Sequence, residues 1–191
     1  VVGGGPAGSM AARYAAQKGV SVCLLEKTRD IGYPVRCGEA IGHNGVTQFV
    51  EMRDSWIAEK INSCTLVSPD GTRINVPFVN EIGYILNRRI FDYDLSVFAK
   101  NEGTEIYTKS YVKRPIVRNS QVKGVIVDIE GVEKEIFSKI VIAADGIESR
   151  VGRKAGIRTQ VRMKDMESGI QYLVKNIRVK ADRMDMYVGS K

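Results

Sequence analysis

The chain has 191 residues, 43% hydrophobic and 27% charged, with a net charge of +7. That length supports one compact domain, or one and a half when discontinuous segments interleave, and no run approaches the roughly 20 apolar residues of a membrane-spanning helix, so a spanning protein is excluded. The lysines and arginines are scattered without an aromatic-interleaved stripe, which argues against nucleic acid and leaves weak attraction to an anionic membrane surface or an acidic cofactor.

In chain order, Val1-Val2 reads as the end of a strand whose start is missing, so the chain looks trimmed there. A glycine turn from Gly3 to Gly8, a helix through Lys18 closed by Gly19 and a strand from Val20 to Leu25 complete a βαβ unit. The small residues Ala11, Ala12, Ala15 and Ala16 let that helix lie close to the sheet, and the near-continuous apolar strand suits a parallel sheet covered on both faces. Ile31 to Gly45 is rich in turn residues and reads as a long functional loop, followed by a helix over about Asn44 to Met52. Strands near Cys64 to Ser68 and Arg73 to Val76, joined by Pro69-Asp70-Gly71, belong to a second sheet. Ile90, Phe91, Leu95 and Phe98 predict a core-facing helix from Arg88 to Lys100 stopped by Gly103, and Glu105 to Thr108 returns to the first sheet. Tyr111 to Val117, Val122 to Ile129 and Glu133 to Phe137 form an antiparallel meander. Lys139 to Ala144 then reads as a buried strand ending in Asp145-Gly146, and Gly169 to Val174 as a strand of the second sheet, which stays unfinished. The expected fold class is α/β.

Gly3-Gly4-Gly5-Pro6-Ala7-Gly8 supplies G-x-G-x-x-G between a strand and a helix, with Glu26 ending the next strand 18 residues after Gly8. Gly3 makes the tight turn, Gly5 lets backbone approach a pyrophosphate and Gly8 allows close helix packing. The helix amino terminus, with Pro6 and Ala7, faces the phosphates with unpaired N–H groups, and Glu26 accepts hydrogen bonds from an adenosine ribose. The pattern identifies a dinucleotide site but serves nicotinamide and flavin cofactors alike. Cys23, Cys37 and Cys64 show no metal-ligand spacing, so no metal is expected and reduced thiols in a cytosol are the default. Cys23 reads as core. His43, the sole histidine, is a solvated loop residue or a catalytic acid, and Trp56 an amphipathic helix residue at a domain edge.

GGGPAG, then Arg88-x-x-Phe91-Asp92-x-x-Leu95, then Ala143-Ala144-Asp145-Gly146-x-x-Ser149 resemble, in order and spacing, the flavoprotein superfamily that contains para-hydroxybenzoate hydroxylase. The resemblance implies a Rossmann-like FAD-binding domain with a β-meander and part of a second, antiparallel-sheet substrate domain. It divides the chain into FAD-binding segments 1–60 and 87–160 and substrate-domain segments 61–86 and 161–191. It puts Arg88, Asp145 and Gly146 at the flavin site, Arg88 otherwise being a solvated helix start and Asp145-Gly146 a strand-ending turn. It also matches Val112 to a position whose backbone meets the adenine, simple sheet packing being the other reading.

Within that superfamily, Pro34-Val35-Arg36-Cys37-Gly38-Glu39-Ala40-Ile41-Gly42 looks most like the geranylgeranyl reductases, notably the archaeal enzymes that saturate isoprenoid chains of membrane lipids. Ser9 and Ser149-Arg150-Val151-Gly152-Arg153 agree with that branch, whereas aromatic hydroxylases usually carry arginine where Gly152 stands. The resemblance implies that Arg36, Cys37, Gly38 and Ala40 bind FAD beside its ring. Cys37 shapes that site, helps deliver a proton or is a small buried hydrophobe. It further implies a polyprenyl lipid substrate, an electron donor that is a nicotinamide or another low-potential carrier, and a cytoplasmic protein with peripheral membrane contact. The substrate tunnel and a third FAD segment are expected beyond Lys191. A monooxygenase or halogenase of the same fold, and a non-catalytic FAD-binding module, are the alternatives.

Overall fold

The computed structural model describes residues 1–178 and 180–189. Its elements are α1 (Pro6–Gln17), β1 (Cys23–Leu25), β2 (Ala40–Gly42), α2 (His43–Thr47), β3 (Ile57–Ile61), β4 (Ser63–Val67), β5 (Arg73–Pro77), β6 (Gly83–Leu86), α3 (Arg88–Asn101), β7 (Glu105–Tyr107), β8 (Ser110–Arg118), β9 (Gln121–Ile129), β10 (Val132–Phe137), α4 (Arg150–Lys154) and β11 (Arg183–Tyr187). They form two compact units, residues 1–35 with 91–168 and residues 36–90 with 169–191; residues 36–60 therefore lie in the second unit. Among the described residues no helix is long and apolar enough to cross a membrane.

In the first unit β1 pairs in parallel with β7, and Val2 bridges in parallel to Leu25 on one side and Ala143 on the other. Alternation along β1 feeds two cores. Val22 and Leu24 pack with Ala12 and Ala16 of α1 and Ala99 of α3. Leu25 and Val2 pack with Val112, Val125 and Val127 of the meander and Val151 of α4. The helices thus cover one face of the parallel sheet and the meander β8-β9-β10, antiparallel throughout, covers the other. Leu24 and Val127 are wholly buried, and each such side chain stabilises the unit by about 1.5–3 kcal/mol. The α/β architecture with an antiparallel appendage is as the sequence predicts.

The second unit holds two three-stranded sheets. In one, β6 pairs antiparallel with β2 and β3; in the other, β4 pairs antiparallel with β5 and parallel with β11. The β4–β5 hairpin matches the sequence reading.

Several elements differ from expectation. Lys139 to Ala144 is not a buried strand: among the described residues its ladder partner is Val2 alone, whose N–H donates to Ile142 O at 2.9 Å and whose carbonyl accepts from Ala144 N at 2.8 Å. Ile140 is 78% exposed. Gly169 to Val174 forms no strand either, because among the described residues nothing pairs with it; Leu173 is 96% exposed and β11 takes the place beside β4. The 31–45 loop contains β2, which pairs with β6, a strand over Gly83–Leu86 that the sequence reading did not assign. The helix expected over Asn44 to Met52 is the short α2, and Val20, Ser21 and Val22 precede rather than belong to β1. Trp56 ends a 3₁₀ turn and is wholly buried, not at an edge.

Candidate cofactor-binding site

The glycine turn is shaped by close backbone approaches. Gly3 has φ +101°, and a Cβ there would lie 2.3 Å from Ala144 O; a Cβ on Gly8 would lie 1.9 Å from Gly3 O. Side chains at either position would push the turn off the sheet or the helix off the turn. Gly5 is different: a Cβ would meet nothing within 4 Å, so the space in front of it is open. Gly5 caps α1 with no side-chain hydrogen bond, Pro6 occupies the first turn, and the first intrahelical bond runs from Ser9 N to Gly5 O at 2.9 Å. The N–H groups of Ala7 and Gly8 precede that bond, so the helix offers uncapped donors and positive dipole charge to an anion. Ser9 is fully buried and its hydroxyl donates to Gly4 O at 3.0 Å, which fixes the turn from inside.

Glu26 follows β1 and is tied on both oxygens. Oε2 accepts from Gly4 N at 2.7 Å, and Oε1 accepts from Thr28 N at 2.8 Å and Thr28 Oγ1 at 2.9 Å. The carboxylate is thereby joined to the glycine turn and its orientation is set before any ligand arrives. Oε1 is filled by its two donors, while Oε2, with one, keeps acceptor capacity for a further hydroxyl.

Glu26 lines a cavity of about 240 Å³ together with Gly3, Gly5, Val112, Asp145 and Gly146. Thus six of the sequence-predicted residues converge on one cavity within the first unit. Asp145 is structural as well, since its Oδ2 accepts from Val151 N at 2.9 Å and so starts α4. Gly146 makes the turn with φ +77°. Val112 is buried in the core cluster while lining the cavity. Lys27, Tyr111, Glu148 and Arg150 line the cavity as well. Sequence reasoning missed Lys27 and Tyr111 because each lies one residue from a motif position, Lys27 after Glu26 and Tyr111 before Val112, and no pattern marks Glu148 or Arg150 as cavity residues.

Pro6, Ala7 and Gly8 start α1 in the first unit, and the remaining predicted residues belong to the second unit. Arg36, Cys37, Gly38 and Ala40 lie in or beside the loop that leads into β2, with Cys37, Gly38 and Ala40 exposed, and Arg88 is the half-buried first residue of α3. Cys37 is therefore not a buried hydrophobe; its sulfur accepts from Glu39 N at 3.4 Å. His43 is not a solvated loop residue: it opens α2, is half-buried, and its Nδ1 lies 3.0 Å from the hydroxyl of Tyr84. Cys23 is half-buried against the meander core and burial pushes its thiol up, while Cys64 is buried. No cluster of residues suited to a metal occurs among the described residues.

A glycine turn, an uncapped helix terminus and a preset carboxylate beside one cavity fit the adenylate and diphosphate of a dinucleotide. Comparison with known proteins narrows the cofactor. Residues 1–189 match the family described as FAD binding domain. The digeranylgeranylglycerophospholipid reductase of Methanocella arvoryzae is 43% identical over 100% of this chain and 50% of its own length. That of Methanoculleus marisnigri is 40% identical over 100% of this chain and 49% of its length. The chain therefore spans about half the length of the curated relatives it matches. Among solved structures, a geranylgeranyl bacteriochlorophyll reductase-like protein from Thermoplasma acidophilum superposes with a TM-score of 0.85 at 32% identity, over 99% of this chain and 49% of that one. A myxobacterial chondrochloren halogenase, with a TM-score of 0.69 at 22% identity over 80% of this chain and 38% of its own, shares the fold.

Proposed function

The chain belongs to the FAD binding domain family, and from that premise we propose that it serves FAD-dependent reduction of carbon–carbon double bonds in the geranylgeranyl chains of archaeal membrane-lipid precursors. The observation that carries this reading is the 43% identity, along the whole chain, to a relative named digeranylgeranylglycerophospholipid reductase. The Arg36-Cys37-Gly38-Glu39 loop and the glycine at position 152 support it. Gly152 sits where a Cβ would come within 3.0 Å of Thr159 Cγ2, a tight site for the arginine usual in aromatic hydroxylases.

When bound, FAD supplies the redox chemistry, a hydride to one carbon of an unactivated alkene. The protein's share is binding, orientation and exclusion of water. Gly5 and the first N–H groups of α1 take the diphosphate, Glu26 the adenosine ribose, and Asp145, Gly146 and Val112 line the same cavity. Arg36, Cys37, Gly38, Ala40 and Arg88 contact the flavin half, with Cys37 shaping the site or passing a proton to the second alkene carbon. In the second unit a groove of about 590 Å³, lined by Ile41, Ile61, Pro77, Phe78, Val79 and Met184 among others, offers an apolar surface to part of a polyprenyl chain. A nicotinamide or another low-potential carrier restores the electrons. The protein works in the cytoplasm, and its net charge of +7 favours peripheral contact with an anionic membrane that holds the substrate.

The test is anaerobic reduction of the full protein followed by a geranylgeranylated glycerophospholipid. Product mass rising by hydrogen pairs as the flavin reoxidises supports the proposal. Unchanged lipid, or an oxygenated or halogenated product formed in air, contradicts it.

A further inference from the structure

Three of the residues that line the first unit's cavity form one hydrogen-bonded chain. Arg150 Nη1 donates to the Tyr111 hydroxyl at 2.7 Å, and Arg150 Nη2 donates to Glu148 Oε1 at 3.0 Å. A guanidinium is planar with five donors in a fixed fork, so anchors on two different nitrogens fix its plane and leave three donors. Tyr111 accepts from Arg150, and its own O–H proton remains to be donated. These anchors come from separate places, Tyr111 on β8 and Glu148 in the turn before α4, so the arginine is braced across the cavity wall.

Part of the remaining wall has the opposite character, beside the polar Glu26, Lys27, Ser110 and Asp145. Val2, Leu25, Val112 and Val151 line it with apolar surface, and all four are buried. An apolar wall with a braced planar cation and a phenol at its edge suits a flat aromatic base with ring-nitrogen acceptors. At about 240 Å³ the cavity lies below the size that holds a drug-sized ligand, so it takes one end of a dinucleotide rather than the whole. Glu26 lines the same cavity and identifies that end as the one carrying the ribose.

We infer that Arg150, braced by Tyr111 and Glu148, is a cofactor-binding residue that recognises the adenine of FAD. The inference rests on the FAD reading above and deepens it. Arg150 acts on the base by hydrogen bonding and by its flat cationic face, while Tyr111 and Glu148 are positioning residues that keep the guanidinium from swinging into solvent.

The test titrates FAD, adenosine diphosphate and riboflavin monophosphate into the full protein stripped of flavin. In Arg150→Leu, FAD and adenosine diphosphate should weaken by the same factor, about tenfold or more, whereas riboflavin monophosphate, which has no adenine, should bind as before. Arg150→Lys should recover only part of the loss, because an ammonium restores charge without the plane, and Tyr111→Phe should weaken FAD several-fold. These two milder variants carry the test if Arg150→Leu does not fold. Wild-type affinity for FAD and adenosine diphosphate in the folded variants overturns the inference. So does an equal loss for riboflavin monophosphate, which would assign Arg150 to phosphate. A wild-type protein that takes up no flavin at all overturns instead the cofactor reading on which the inference rests.

Discussion

Replacing Glu26 by alanine separates the structural role of this carboxylate from its proposed role in ligand binding. In the folded chain it accepts from Gly4 N, Thr28 N and Thr28 Oγ1 at 2.7, 2.8 and 2.9 Å. Bonds to a charged acceptor contribute about 1.5–3 kcal/mol each, but the site is only half-buried and water can replace some of them, so the expected stability loss is about one such bond. On the binding side, the loss of one charge-assisted bond to a ribose hydroxyl corresponds to a roughly 10- to 150-fold weaker Kd for FAD. Riboflavin monophosphate lacks that ribose and should be affected far less. Glu26→Gln keeps an acceptor oxygen and should fall between. Calorimetric titration with both flavins, beside thermal unfolding, separates the two effects. A folded Glu26→Ala protein with unchanged FAD affinity would rule out a ribose contact by Glu26.

The glycines of the turn should differ in kind. Gly3→Ala and Gly8→Ala force contacts of 2.3 and 1.9 Å onto backbone oxygens and should cost roughly 3 kcal/mol or more, read as a lowered denaturation midpoint. Gly5→Ala meets nothing within 4 Å and should change stability by only about 1 kcal/mol, yet weaken FAD at least tenfold as the methyl enters the diphosphate space. Asp145→Ala removes the acceptor for Val151 N and should lower stability by about 0.5–2 kcal/mol, as loss of a helix cap does, in chemical denaturation. Burial raises the Cys23 thiol, so the folded value lies above the unfolded one. The stability this group contributes is complete below the unfolded value of about 8.5 and is lost as pH rises through the folded value. Thermal midpoints should therefore drop less between neutral and alkaline pH in Cys23→Ala than in the wild type, and alkylation followed by mass spectrometry should label exposed Cys37 before Cys23.

The parts of the fold legible in the sequence are those where local chemistry and tertiary context agree. The turn from Gly3 to Gly8, the helix before Gly19 and the meander broken at Asn119-Ser120 and Glu130-Gly131 carry their own signals, and each occurs where expected. Elements defined by a distant partner were not legible. β2 exists because β6 lies beside it, and β11 because β4 does, whereas the equally apolar stretch at Gly169 to Val174 finds no partner among the described residues. The same division runs through the site. Glu26 and Asp145 are marked by motif spacing, but Tyr111 and Arg150 are 39 positions apart and meet only through the packing of α4 on β8. His43 shows the limit of composition alone, since the hydroxyl that partners it comes from β6.

We propose that the glycine turn and Glu26 hold the adenylate half of FAD. The most direct measurement is the visible absorbance of the purified protein after incubation with FAD and removal of the excess, followed by titration with adenosine diphosphate. The protein should be yellow, with one flavin per chain that is displaced in proportion to added adenosine diphosphate. A protein that stays colourless, or whose bound flavin ignores the competitor, would contradict the proposal.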